Sequence, residues 1–185
     1  MITTFNLRNF RVFGDTGAAF NISPITILTG CNSSGKSSVV KAITLMSRMI
    51  DKTKEQYKYH HKYNPFNCYL DFSDNDLNLK SFDSAVNRDN PNEMTISYTA
   101  CGFLCNYNVE IHFSRKEDDI FNYGWIDGIT ISMKDEDLLK VSQGRKSLHV
   151  DYLNLNAAQL LFEFKVVAQA AMFIYITILS YCEKK

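Results

Sequence analysis

The sequence predicts an α/β domain, and three observations carry that prediction. A short β-branched run, Ile25-Thr-Ile-Leu-Thr29, ends abruptly at Gly30, as a buried strand would. After a Gly/Ser loop, Val39, Val40, Ala42, Ile43, Met46, Met49 and Ile50 recur at spacings of three and four. That is one face of an amphipathic helix over about Ser37–Asp51. From Glu93 onward, β-branched and aromatic residues return in short runs divided by turn residues.

The elements follow in order. Ile2–Leu7 and Ala18–Ile22 read as strands with Gly14-Asp15 as turn chemistry between them, and Pro24 opens the third strand, Ile25–Thr29. Residues 1–51 thus form a first core. Residues 52–92 are a loop-rich insertion: Lys52–Tyr63 is polar and basic, Asn64-Pro65 marks a turn, and Asp71–Asn90 favours loops and caps. Residues 93–150 form an antiparallel β subdomain, with strands expected at Met94–Thr99, Phe103–Ser114, Asn122–Ile126, Ile129–Met133, Leu138–Val141 and Ser147–Val150. Asp127-Gly128 is the expected tip of a hairpin, and Ser142-Gln-Gly-Arg145 another turn. Residues 151–185 are expected to be helical, and no tandem repeat or low-complexity linker occurs.

Composition narrows the class. A chain of 185 residues holds one domain with a real core, and 45% hydrophobic against 22% charged residues is a globular balance. Lys plus Arg equals Asp plus Glu at 20 each, which removes any global electrostatic argument for nucleic acid. Five cysteines without framework spacing and a start lacking a signal-peptide pattern lead us to expect reduced thiols and a cytoplasmic protein. The apolar run Val166–Tyr181 falls short of the roughly 20 residues that span a bilayer, so a buried helix, or a helix then a strand, is expected, with no membrane span. With only Glu183, Lys184 and Lys185 after it, the run calls for a partner or further chain to pack against.

Gly30-Cys31-Asn32-Ser33-Ser34-Gly35-Lys36-Ser37 fits the G-x-x-x-x-G-K-[ST] phosphate-binding loop at every defined position. The glycines let successive N–H groups turn inward as an anion nest. Lys36 can reach the β- and γ-phosphates of a nucleoside triphosphate, and the Ser37 hydroxyl can coordinate Mg²⁺. The helix beginning there adds its unpaired N–H groups and the positive end of its dipole. ATP with Mg²⁺ is the expected ligand.

Leu7-Arg8-Asn9-Phe10-Arg11, Phe20-Asn-Ile22, the run Ile25–Ser38 and Lys41-Ala-Ile43 together resemble the N-terminus of SMC/RecF-type ATPases. The Asn-Ser-Ser-Gly-Lys-Ser-Ser form of the loop is most similar to OLD-family and related AAA family proteins, many of them DNA-repair or phage-defence ATPases. The resemblance is specific over about Met1–Ile50 and architectural beyond. It implies an ABC-type N-terminal half-head: a mixed sheet wrapping the first helix, an antiparallel β subdomain and a C-terminal helical segment. It assigns Gly30–Ser38 to phosphates and Mg²⁺, gives Asn32 a role in orienting phosphates, and places Arg11 near the nucleotide. The residues alone would make Arg11 a solvated turn residue. The resemblance also implies a homodimer or a partner ATPase lobe, because one head's signature completes its partner's site.

Other parts of such a head do not occur in this sequence. There is no Ser-Gly-Gly, no apolar strand ending in Asp-Glu, and His60, His61, His112 and His149 are in the wrong settings for a switch residue. Tyr123–Asp127 runs into a glycine turn, and Ile174–Tyr181 carries no acid until Glu183. The chain is therefore expected to be an N-terminal portion that binds ATP and hydrolyses it poorly, since phosphoryl transfer depends on those positioning groups. The alternative is a non-catalytic module that senses nucleotide or regulates a partner. A GTPase would carry Asn-Lys-x-Asp and a small-molecule kinase an Arg-rich lid, and neither is present.

Three weaker constellations have a functional and a bland reading. Gln143 is either a glutamine loop reaching Mg²⁺ or a hairpin tip. Lys52–Tyr63 interleaves lysines with Tyr57, Tyr59 and Tyr63, which suits stacked bases of DNA or simply a solvated loop. Cys101 and Cys105, with His112, His60, His61 and Cys68 elsewhere in the chain, lack the paired knuckle that zinc needs.

Overall fold

The computed structural model describes residues 2–59, 69–73, 76–101, 106–133, 136–143 and 148–153. Strands β1 (Ile2–Arg8) and β2 (Ala18–Asn21) lead to helix α1 (Lys36–Tyr59). Then come β3 (Tyr69–Leu70), the single-turn helix α2 (Phe82–Ala85), and β4 (Glu93–Cys101), β5 (Asn106–Ser114), β6 (Gly124–Met133), β7 (Glu136–Gln143) and β8 (Leu148–Leu153). The strands form one sheet in the order β2-β1-β4-β5-β6-β7-β8, with β3 paired to the start of β6. Every pairing is antiparallel.

The sheet is two-faced because its sequence alternates. Phe5 and Leu7 of β1, Val109, Ile111 and Phe113 of β5, and Ile126, Ile129 and Ile131 of β6 point inward and are buried. Helix α1 lays Val39, Ala42, Leu45, Met46 and Met49 into the same core. Each of these side chains larger than alanine contributes about 1.5–3 kcal/mol on full burial. The insertion closes the core with Leu70, Phe72, Leu77, Leu79 and Phe82. Phe72 and Phe82 meet edge to face at 6.2 Å. They press on Gly124, where an added Cβ would come within 3.1 Å of Phe82 and 3.3 Å of Phe72.

Several expectations are corrected. The sheet is antiparallel rather than mixed among the described residues. Ile25–Thr29 is not a strand, and Ile25 and Ile27 are 84% and 80% exposed. A buried strand needs a neighbour for its backbone and a cover for its side chains, and among the described residues no strand pairs with this run and only Leu28 of it packs against the core. Val40 and Ile43, read as part of the helix face, are exposed instead, so the buried stripe runs through Leu45. Helix α1 begins at Lys36 and runs on to Tyr59, taking in residues expected as loop. The insertion also carries α2, closed by a capping box in which Ser81 and Ser84 bond each other's backbone N–H groups.

Asp127-Gly128 is not a hairpin tip. Residues on both sides of it pair with the same strand: Ile126 faces Phe113 and Gly128 faces His112, leaving Asp127 as the extra residue of a β-bulge. Two expected strands therefore become one, β6. At the other end β8 runs to Leu153, so residues 151–153 are strand rather than helix. Residues 154–185 of the expected helical segment, including Val166–Tyr181, and residues 144–145 of the turn expected at Ser142–Arg145 lie outside the described residues. No helix among the described residues is long and apolar enough to cross a membrane.

Asp119 organises the loop between β5 and β6. Its carboxylate accepts from Trp125 Nε1 at 2.7 Å and from the backbone N–H groups of Tyr123 at 2.8 Å and Phe121 at 3.0 Å. Partial burial works to raise the carboxyl, but these hydrogen bonds outweigh it and hold Asp119 below the usual aspartate range. A depressed native pKa adds stability above the unfolded value of about 3.9, and that stability is lost as pH falls through the native value. Trp125 is the only tryptophan. Acid titration should therefore shift its emission below about pH 4, and Asp119→Asn should abolish that step. Phe82→Ala should cost about 3–5 kcal/mol in urea unfolding. Ile120→Ala, at an 87% exposed side chain, should stay within about 0.5 kcal/mol.

Candidate nucleotide-binding site

The loop at Gly30–Ser37 is built on positive-φ geometry. Gly30 has φ 148° and Gly35 φ 96°, with Ser33 at 65° between them. Gly35 is required twice over, because a Cβ there would lie 2.5 Å from the Phe13 ring and 2.8 Å from Val12. The turn between β1 and β2 thus packs directly on the end of the loop. Val39 N–H donates to the Gly35 carbonyl at 3.1 Å, so the first helical hydrogen bond grows out of this glycine.

Helix α1 has no acidic residue in its first turn to offset the positive end of its dipole. Lys36 folds back over the loop, and its ammonium donates to the carbonyls of Gly30 at 2.7 Å and Cys31 at 2.6 Å. Cys31, Asn32, Ser33, Ser34 and Ser37 are exposed, as a loop that receives a solvent-borne ligand requires. Ser38 is buried, which leaves the Ser37 hydroxyl as the accessible one at the helix start.

Arg11 is delivered to this end of the molecule by a tight turn. Phe10 and Phe13 exchange backbone hydrogen bonds at 2.9 Å, and Arg11 itself has φ 53°. Its N–H donates to the Ala85 carbonyl at 2.7 Å, and its own carbonyl accepts from Asn87 Nδ2 at 2.7 Å. The backbone is therefore clamped by the insertion, while the side chain stands beside Lys41. Burial and the Arg11 guanidinium together hold Lys41 below the ordinary lysine range. Lys41 lies one helical turn after Ser37, and sequence reasoning gave it no role, although its i+4 spacing from Ser37 was a usable signal. The clamp through Ala85 and Asn87 spans more than seventy residues of chain and left no local signal.

Arg11 and Lys41 thus stand together, while Lys36 lies over the loop itself, and among the described residues none of the three has a carboxylate ion-pair partner. This arrangement fits a polyanion. Ser37 also fits as a Mg²⁺ ligand, but no group of three His, Cys, Asp or Glu that could hold a metal occurs among the described residues. A metal here would depend on Ser37 together with phosphate and water oxygens. When bound, Mg²⁺ would neutralise phosphate charge.

The other candidates stand apart. Gln143 closes β7 opposite Leu148, with β4, β5 and β6 between that strand and β1; its side chain lies outside the described residues. Lys52 is committed to Asp71 at 2.7 Å, and the side chains of residues 53–63 lie outside the described residues. The Cys101 thiol donates to Asn106, while Cys68 and Cys105 lie outside the described residues.

No curated protein and no solved structure matches this sequence. A family model does: that of the AAA ATPase domain matches residues 1–168, which takes in the phosphate loop, α1 and the whole described sheet. Together with the loop geometry, that match makes this chain a member of the AAA ATPase domain family, whose members bind ATP.

Proposed function

We propose that this chain is the ATP-binding N-terminal portion of an SMC/RecF/OLD-like ATPase. The observation that carries the proposal is the joining of the Gly30–Ser37 loop to the first turn of α1, with Lys36 already held across the loop's mouth. Phosphate oxygens replace the Gly30 and Cys31 carbonyls as partners of the Lys36 ammonium. The loop N–H groups and the α1 dipole take the remaining charge. Ser37 offers its hydroxyl to Mg²⁺, Asn32 orients the phosphates, and Arg11 approaches from the β1–β2 turn.

Binding is favoured over turnover. No group of three His, Cys, Asp or Glu that could hold a metal occurs among the described residues, and the sequence holds neither Ser-Gly-Gly nor an Asp-Glu strand end. Hydrolysis then requires a homodimer or a partner lobe to complete the site, and work on DNA or against phage belongs to that assembly. The same observation supports the second reading, a nucleotide-sensing module without turnover. An exposed thiol at Cys31, within the loop itself, suits a reducing cytoplasm.

Calorimetry with Mg²⁺ and ATP tests the assignment. Lys36→Ala should weaken binding by about 10- to 100-fold, the worth of a charge-assisted hydrogen bond. Equal affinity in the two proteins would remove Lys36 from the site. Gly35→Ala should abolish binding and cost about 1–3 kcal/mol of stability through its strained φ and the clash with Phe13. Phosphate release by the chain alone should stay at background, and release at ordinary ATPase rates would refute the need for a completing lobe.

A further inference from the structure

The face of the sheet turned away from α1 carries a polar hollow. Alternation along the strands sends Phe5, Leu7, Ile96 and Ile111 into the core that α1 shares. Their neighbours in sequence, Asn6, Arg8, Thr95, Ser97, Glu110 and His112, therefore stand on the opposite face. Asn6, Ser97 and Glu110 form one cross-strand row, and Arg8, Thr95 and His112 form the next. A hollow of about 230 Å³ opens there, lined by Asn6, Arg8, Thr95, Ser97 and Glu110 and bounded on the β2 side by Gly17 and Ala19.

Short side chains between long ones make the hollow. Thr95 and Ser97, on the middle strand, are only 5% and 8% exposed and form its floor. On the β2 side Ala19 faces Asn6, and Gly17 has φ 67°, where a Cβ would come 2.8 Å from the Leu7 carbonyl oxygen. Hydrogen bonds tie the lining together. Asn6 Nδ2 donates to Ser97 Oγ at 3.0 Å, and the Arg8 guanidinium donates to Thr95 Oγ1 at 3.5 Å. The Thr95 hydroxyl lies 3.3 Å from His112 Nδ1, and His112 Nε2 lies 3.0 Å from the Glu110 carboxylate. Arg8 and Glu110 are thus each engaged by a neighbour rather than by one another. The strand β4 stands between the strands that carry them, a separation of about 10 Å at roughly 4.8 Å per spacing. Among the described residues no ion pair joins them.

We propose that this hollow binds a free α-amino acid, its carboxylate on Arg8 and its ammonium on Glu110. Charge complementarity carries the assignment. A cation and an anion held apart across one hollow match a ligand that carries both charges on one small frame. The guanidinium offers a carboxylate paired N–H donors, and the Glu110 carboxylate accepts from an ammonium. The Thr95 and Ser97 hydroxyls lie between the two charges and can bond either end of the ligand. Size agrees, since about 230 Å³ is below the roughly 300–1,000 Å³ of pockets for drug-sized molecules. A nucleoside triphosphate does not suit it, because Glu110 would repel the phosphates that Arg8 attracts. Amino-acid binding here needs no nucleotide, and neither does its test.

Ligand-observed NMR on the full 185-residue chain, with the common L-amino acids added in small groups, is the first measurement. Saturation transfer should reach at least one of them, and calorimetry on that one should give a Kd below about 1 mM. Arg8→Gln and Glu110→Gln should each weaken it by at least about tenfold, as the loss of a hydrogen bond to a charged group requires. Ala19→Leu, a change at an exposed edge position, should block binding by filling the hollow. The deaminated acid and the carboxamide of the same amino acid should both bind at least about tenfold more weakly. No amino acid binding the unmodified chain below about 1 mM would overturn the proposal, whether or not the substituted proteins fold. Equal affinity for the deaminated acid would overturn it too, leaving Arg8 as a site for simple anions. Binding that survives both charge substitutions would place the amino acid elsewhere on the molecule and reject this hollow.

Discussion

The site depends first on the docking of α1 against the inner face of the sheet. Val39, Ala42, Leu45, Met46 and Met49 enter the core that holds Leu7, Ile96, Ile111 and Ile131. The phosphate loop has no comparable anchorage of its own, since its residues 31–34 are exposed. Its position is inherited from the helix it opens and from Gly35, where the loop is wedged under Val12 and Phe13. Anything that loosens the stripe loosens the anion nest, because the helical N–H groups that would meet phosphate belong to the same rigid element.

Electrostatics at the loop are local in a molecule of zero net charge. Lys36 opens α1 and folds over the loop, whereas Arg11, from a turn, meets Lys41, from the helix, only in the folded chain. The Lys36 ammonium is satisfied by two carbonyls before any ligand arrives. Phosphate binding there would exchange one set of hydrogen bonds for another, and the gain would be the difference between carbonyl and phosphate as partners. Such a site is preorganised, since the cation is already at the mouth of the loop.

The insertion between α1 and β4 contributes more than its polar composition suggests. Leu77, Leu79, Phe82, Ala85 and Val86 are spaced among Asp, Asn and Ser residues, yet all are buried. They seal the end of the sheet, and the backbone around them grips the Arg11 turn through Ala85 and Asn87. A segment that resembles a linker thus fixes a cation beside the candidate site.

The sequence by itself determined the elements whose causes are local. The phosphate loop could be read from residue types at fixed spacing, α1 from its three-and-four periodicity, and β1, β2, β4 and β5 from β-branched runs with turn residues between them. Tertiary structure decided wherever a choice depended on distant partners. Asp127-Gly128 became a bulge because β5 continues past it on both sides. Val40 and Ile43 faced outward because Leu45 and Met46 claimed the core. Ile25–Thr29, apolar enough for a central strand, stayed unpaired because a strand is made by its neighbours, and the described residues place none beside it. Arg11 and Lys41 came together for the same reason: charges thirty residues apart meet only when the turn and the helix carrying them pack side by side.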